Sequence, residues 1–321
     1  KTAFIGGGNP GCLGASRLER IAKAVCVNGR PSEFSTEMNP ESLDCSFFPL
    51  FRKYFTRLSM GVQSLNQKAL AFLGRNAASD SVRCALELSQ RIHEETGCTL
   101  SYDLITCLGS WHDDLADVKA LVKDYPSEHL SVYALTLEEG TALFRKNPTL
   151  PDSDAQYGIL KHIWSYLSSE GYEHYEVSNF AKEGYRCVHN CRYWAYRQYL
   201  GLGPGAASTA FSVDGKVSRF NFMKNVRSYA ETPFFSGYET ERLSDFEAFE
   251  EMALMGLRYA GGLDLKRAGK FIGRGIDLKK MTGIRGFHAE GENLVPDEEG
   301  LMTADAAARE LIGQLSMNAH V

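Results

Sequence analysis

The sequence predicts an α/β protein: parallel βα units forming a barrel or an open sheet, then a small helical C-terminal domain with a wing-like hairpin. Three observations predict it. Residues 1–136 alternate five short β-rich runs with helical ones, the pattern of parallel strands joined by crossover helices. Gly6-Gly7-Gly8, Glu37, Gln63 and Asp103 gather at the carboxyl ends of those runs, where such folds handle ligands. Beyond residue 240 the pattern turns to amphipathic helices.

The predicted strands are TAFIG (2–6), EFSTEMN (33–39), RLSMGVQS (57–64), LSYDLITCL (100–108) and HLSVYALT (129–136). Between them, NQKALAFLG (66–74), SDSVRCALELSQRIHEETG (79–97) and LADVKALVKDY (115–125) carry helical periodicity. A further helix is expected over 153–170, then one strand in YEHYEVSNFA. The aromatic, turn-rich stretch GYRCVHNCRYWAYRQYLGLGPGAASTAF follows, and FFSGYETERLSD (234–245) reads as an acidic linker. FEAFEEMALMGLRYAGG is an amphipathic helix closed by glycines, and AEGENLVPDEEGLMTADAAARELIGQL reads as a hairpin feeding a final helix. The expected organisation is a barrel over 1–180, an aromatic and glycine-rich segment closing it over 181–235, and a winged-helix-like domain over 240–321.

A chain of 321 residues with 35 basic and 40 acidic side chains has a formal charge of −5. That balance argues against bulk electrostatic binding of nucleic acid. No apolar run reaches bilayer length and no secretory signal opens the sequence, so a cytoplasmic protein is expected. The eight cysteines are scattered and read as reduced thiols. No three of them are spaced to nest an iron–sulfur cluster.

Several residues stand out as candidates for chemistry. Gly6, Gly7 and Gly8 leave backbone N–H groups uncovered, so an anionic or polar group can approach closely; the same triplet also serves as a plain turn. Glu37 is either a solvated strand end or a grip on an amine or ribose hydroxyl. Gln63 places an amide inside an apolar strand, where an unpartnered polar group is costly. Arg75 reads as a helix-terminal charge or a ligand contact, and Asp103, flanked by apolar residues, needs a hydrogen-bonding partner. As a series on successive βα units they read as a pocket for a polar small molecule. His189, in CVHNCRYW, sits among Tyr185, Tyr193, Trp194, Tyr196 and Tyr199. It is either a loop-bonding histidine or a heme ligand among rings that pack on the macrocycle. Were the stretch extended, Cys187, His189 and Cys191 would share one side, but a closed zinc site wants a fourth ligand.

The ordered series GGGNP, EMNPE, RLSMGVQSLN, LGR, DLI, SVYALTLEEGTAL, YEVSNFA, HNCRYW, YLGLGPGA and MGLR resembles the radical S-adenosylmethionine proteins related to oxygen-independent coproporphyrinogen III oxidase, and within them the heme chaperone branch. The resemblance spans nearly the whole chain. It implies a partial (βα)6 barrel with its first strand missing here, a [4Fe–4S] cluster, S-adenosylmethionine and heme. It places Gly6, Gly7, Gly8 and Asn9 beside the methionine part, and Glu37, Gln63, Arg75 and Asp103 around the nucleoside and carboxylate. Tyr133 and Leu135 fall where the last barrel strand passes the adenine, and His189 matches the histidine implicated in heme binding.

The family's CxxxCxxC triplet belongs ahead of the glycine motif, and no residues of this sequence stand there. The expectation is therefore no metal ligands for a cluster in this chain and no radical chemistry from it alone. Asn9 replaces a usual Thr, Cys107, Gly109 and Trp111 alter the loop beyond Asp103, and Ala207 stands where a His is usual. The resemblance implies a chaperone that binds heme or porphyrin and passes it to a client protein, touching a membrane only through that client. The alternatives are the oxidase, which decarboxylates propionates in heme biosynthesis, and a degenerate scaffold without activity.

Overall fold

The computed structural model describes residues 1–75, 78–232, 236–278 and 284–317. It divides into two compact units, residues 1–189 and 190–321.

The first unit runs β1 (Thr2–Ile5), α1 (Ala15–Val25), β2 (Glu33–Met38), α2 (Phe48–Lys53), β3 (Arg57–Gln63), α3 (Gln67–Phe72), α4 (Ser79–Thr96), β4 (Thr99–Thr106), α5 (Asp114–Asp124), β5 (His129–Ala134), α6 (Ala142–Lys146), α7 (Ser153–Ser169), β6 (Glu173–Glu176) and β7 (Asn179–Ala181). The helices start on side-chain caps where the sequence supplies them. Asn66 accepts the N–H groups of Lys68 and Ala69, while Asp113 and Asp152 cap α5 and α7. Gly97, in the left-handed region, ends α4.

The seven strands form one curled half-barrel sheet in the order β1-β2-β3-β4-β5-β7-β6. The pairs from β1 to β5 are parallel. The single strand expected over YEHYEVSNFA is instead two strands, β6 and β7, paired antiparallel to each other, with β7 also antiparallel to β5. The turn at Val177-Ser178 breaks the run, and the Glu176 carboxylate accepts the Ser178 N–H across it.

Strand alternation separates two chemistries. Phe34, Met38, Leu58, Met60, Leu100, Tyr102, Leu104, Leu130 and Val132 are buried on one face, with Tyr102 reaching Ser89 and Gln90 of α4. The other face carries Glu33, Ser35 and Glu37 on β2, Arg57, Ser59 and Gly61 on β3, Ser101 and Asp103 on β4, and His129, Ser131 and Tyr133 on β5. Toward the amino ends these polar residues are buried. Toward the carboxyl ends Glu37, Ser59, Asp103 and Tyr133 keep surface accessible.

The second unit continues from α8 (Val188–Trp194), which spans the division, to β8 (Ala207–Phe211), β9 (Val217–Phe222), α9 (Val226–Glu231), β10 (Tyr238–Arg242), α10 (Asp245–Gly256), β11 (Leu263–Asp264), α11 (Leu265–Phe271), β12 (Phe287–Glu290), β13 (Asn293–Pro296) and α12 (Glu298–Met317). The stretch 234–245, expected as a linker, holds β10, which pairs with β9; residues 234 and 235 lie outside the described residues. A capping box between Ser244 and Glu247 starts α10. Phe249, Leu257, Leu263, Ala308 and Leu311 form this unit's core.

Candidate functional site

The glycine loop and Glu37 meet. Gly7 N–H donates to Glu37 Oε2 at 3.1 Å. A Cβ on Gly6 would lie 2.9 Å from the Glu37 carboxyl and 2.7 Å from the Phe4 ring, so any side chain there would displace one of them. Gly7 and Gly8 have φ of +81° and +74° with open space where a side chain would sit, so a polar group can approach the loop backbone closely. Asn9 faces the scaffold: its Oδ1 accepts from Asn39 N–H and its Nδ2 donates to Ser42 Oγ at 2.6 Å. It ties the glycine loop to the loop after β2.

Gln63 ends β3 at a bulge, with φ of +67°, a conformation costly for a residue with a Cβ. Its amide lies over Gly61, where an added Cβ would come within 2.7 Å of it. Asp103 accepts hydrogen bonds from Ser59 Oγ at 3.3 and 3.4 Å. Burial raises its carboxyl to about 7; a hydrogen bond from Ser131 pulls the other way, and the charge of Glu37 adds to the rise. Burial also raises Glu37, partly offset by the Gly7 N–H. Two carboxyls of raised pKa thus share the accessible end of the polar face, which favours a cationic or hydroxyl-bearing ligand. Tyr133 stands next to them, its phenol raised first by burial and then by the charge of Asp103. Leu135 is buried in a small apolar cluster with Ala69 and Leu108. Half-buried Arg75 follows α3, its backbone N–H donating to Leu70 O. Trp111 packs edge-on against Phe72 at 5.3 Å, with Lys68 over its ring.

The segment Val188–Trp194 is helical, so the extended geometry that would align Cys187, His189 and Cys191 does not occur. The reason lies across the sheet. The Glu33 carboxylate accepts Val188 N–H at 3.0 Å and His189 N–H at 2.7 Å, capping the first turn. Arg57, 3.7 Å from Glu33, donates to the Tyr185 carbonyl. The His189 ring is held from the side, Nδ1 lying 2.9 Å from Thr2 Oγ1 and the ring 5.4 Å from that of Phe4. Below this layer, His129 bridges Ser101 Oγ and Tyr175 OH and is kept neutral by burial.

Glu33, Ser59, Ser131 and Glu176 were not among the residues expected from sequence. For Glu33, Ser59 and Ser131 the signal is alternation: E-x-S-x-E on β2 and the polar odd positions of β3 to β5 fall on one face. Glu176 is buried, and that burial raises its carboxyl to about 7. Among the described residues, no three His, Cys, Asp or Glu side chains converge as a metal site needs.

The half-barrel that carries this polar face shares its fold with a solved radical S-adenosylmethionine enzyme. The solved structure of coproporphyrinogen III oxidase (HemN) from Escherichia coli, described as a radical SAM enzyme, superimposes with a TM-score of 0.75 over 98% of this chain and 78% of that one, at 18% identity. No family model matches the sequence. The protein named heme chaperone HemW in Mycobacterium tuberculosis is 33% identical over 97% of this chain and 80% of its own length. HemW of Escherichia coli is 31% identical over 78% of this chain and 66% of its own. The chain belongs to the HemW family.

Proposed function

We propose that this protein binds heme and delivers it to a client protein, with His189 as an iron ligand. The observation that carries this reading is the 33% identity over 97% of the chain to a protein named heme chaperone HemW. The geometry is consistent with it: Glu33 fixes the backbone of His189, and Thr2 and Phe4 fix its ring, an arrangement suited to a preoriented ligand. S-adenosylmethionine fits the glycine loop. The exposed backbone of Gly7 and Gly8 lets the ligand approach closely, and Glu37 and Asp103 offer acceptors for its ammonium and ribose hydroxyls. Gly6, Gly7, Gly8, Glu37, Gln63, Asp103 and Tyr133 would hold it, with Asn9, Leu135 and Arg75 as supports. When bound, it supplies a sulfonium group. No helix among the described residues is long and apolar enough to cross a membrane.

Heme titration tests the reading. The wild-type chain should develop a Soret band that shifts and weakens in His189→Ala, and heme-loaded protein should pass its heme to an apo-protein acceptor. Absence of heme binding, or turnover of coproporphyrinogen by the intact protein, would overturn it.

A further inference from the structure

Gln63, at the end of β3, has φ of +67°, and Cys107, directly after β4, has φ of +63°. A residue with a Cβ adopts that conformation at a cost, so something must hold both strand exits. The first turn of α5 does. Asp114 and Asp117 stand three positions apart, on one face of the helix. Asp114 Oδ2 accepts the Cys107 N–H at 3.0 Å. Asp117 Oδ2 accepts the Leu65 N–H at 3.2 Å and the Ser64 hydroxyl, fixing the turn that leaves Gln63. One helix thus anchors the ends of the two strands that carry Gln63 and Asp103.

Two sheltered carboxylates side by side are costly without a counter-charge. His112 supplies it. Its Nε2 lies 3.3 Å from Asp117 Oδ2 and 3.7 Å from Asp114 Oδ1. The side chains of His112 and Asp114 are each 3% exposed. Among the described residues, neither Nε2 nor Asp114 Oδ1 has a hydrogen bond outside this trio, so each depends on the others. The Asp117 carboxylate raises the imidazole above its ordinary pKa against the pull of burial. Burial raises Asp114 to about 6, and the charge of His112 opposes that rise. Other titratable and charged groups stand close by. Asp113 is on the same turn, Lys68 of α3 lies over the adjoining Trp111 ring, and Asp152 and His162 line a cavity of about 660 Å³ with His112. Asp113 and Asp152 are engaged as helix caps, and His162 Nδ1 lies 2.8 Å from Gly158 O.

We propose that His112 is a positioning residue of the S-adenosylmethionine pocket: one imidazole, shared by Asp114 and Asp117, clasps the exits of β3 and β4 and so sets Gln63. This rests on the S-adenosylmethionine reading of the glycine-loop pocket and deepens it. His112 needs no contact with the ligand. It acts through the two carboxylates, which hold the backbone on which the ligand-facing amide stands.

The test uses the full chain, with amide hydrogen exchange at Leu65 and Cys107 and calorimetry with S-adenosylmethionine. His112→Gln keeps size and a donor but removes the charge. At pH 7.5 protection of both amides, and S-adenosylmethionine affinity, should each fall on the order of tenfold. Adding Asp114→Asn relieves the repulsion, keeps an acceptor for Cys107, and should restore both. Acid should restore the single variant as Asp114 takes up a proton near pH 6. In the wild type, protection should persist at low pH and fade as pH rises through the raised imidazole pKa. Circular dichroism verifies that each variant is folded. Wild-type protection in His112→Gln, or no rescue by Asp114→Asn, would overturn the clasp. Lost protection with unchanged affinity would overturn the positioning role. Wild type that binds no S-adenosylmethionine would overturn the reading of the pocket and that role with it, while the exchange data would still report the clasp.

Discussion

Thr2 Oγ1 and His189 Nδ1 lie 2.9 Å apart although 187 positions separate them in the chain. When Nδ1–H donates to the hydroxyl, the lone pair sits on Nε2, the form in which imidazole ligates iron. Thr2→Val should loosen the ring and weaken heme binding by roughly tenfold, the lower range for loss of such a partner, while Thr2→Ser should restore it. Stopped-flow heme dissociation and the Soret maximum measure both. Unchanged dissociation in Thr2→Val would show that the threonine does not orient the ligand.

Glu33 joins a distant helix to the sheet. Glu33→Gln keeps the shape but removes the charge facing Arg57, whose side chain is almost fully buried. Leaving a buried guanidinium uncompensated costs about 3–5 kcal/mol, and the turn carrying His189 loses its strongest acceptor. Urea unfolding should show that loss. A change below about 0.5 kcal/mol, the range of ordinary surface substitutions, would mean that solvent compensates Arg57.

Gly6→Ala tests the glycine loop. The new methyl would sit 2.7 Å from the Phe4 ring and 2.9 Å from the Glu37 carboxyl, a clash worth about 1–3 kcal/mol. S-adenosylmethionine binding, followed by calorimetry, should fall at least as steeply as stability. Wild-type affinity in the variant would remove the loop from the proposed site.

Asp103 gives a pH signature. Its folded pKa, about 7, lies above the usual aspartate value near 3.9, so the native state holds the proton more tightly than the unfolded chain. Its contribution to stability is therefore present at low pH and is lost as pH rises from about 4 through 7. Asp103→Asn should be more stable than wild type at pH 8, by on the order of 4 kcal/mol, and the difference should shrink toward pH 5. Parallel stability curves for the two proteins would show that the carboxyl titrates normally.

Strand and helix positions were legible because hydrophobic periodicity and caps act locally. The five parallel strands fell within two residues of their predicted ends, from Thr2 to Ala134. What failed was long-range. Nothing local in HNCRYW announces that Glu33, some 155 positions earlier, will cap Val188 and make the segment helical. The hairpin at Val177-Ser178 was hidden because both of its strands are short and no glycine or proline marks the turn between them. At the candidate site, the glycine loop and Glu37 stood out at strand ends and Asp103 as a carboxylate within the apolar run of β4. Ser59 and Ser131 were missed because serine on a strand is unremarkable until the register sets it beside a carboxylate.

The raised carboxyls of the polar face have a calorimetric consequence. Near neutral pH, Asp103, raised to about 7, is partly protonated. A ligand bearing positive charge will expel that proton into the medium as it settles. Its measured heat will then depend on the ionisation enthalpy of the buffer, so that phosphate and Tris give different enthalpies for one binding constant. The slope between them counts the protons released, which makes the buffer a direct reporter of which carboxyls the ligand reaches.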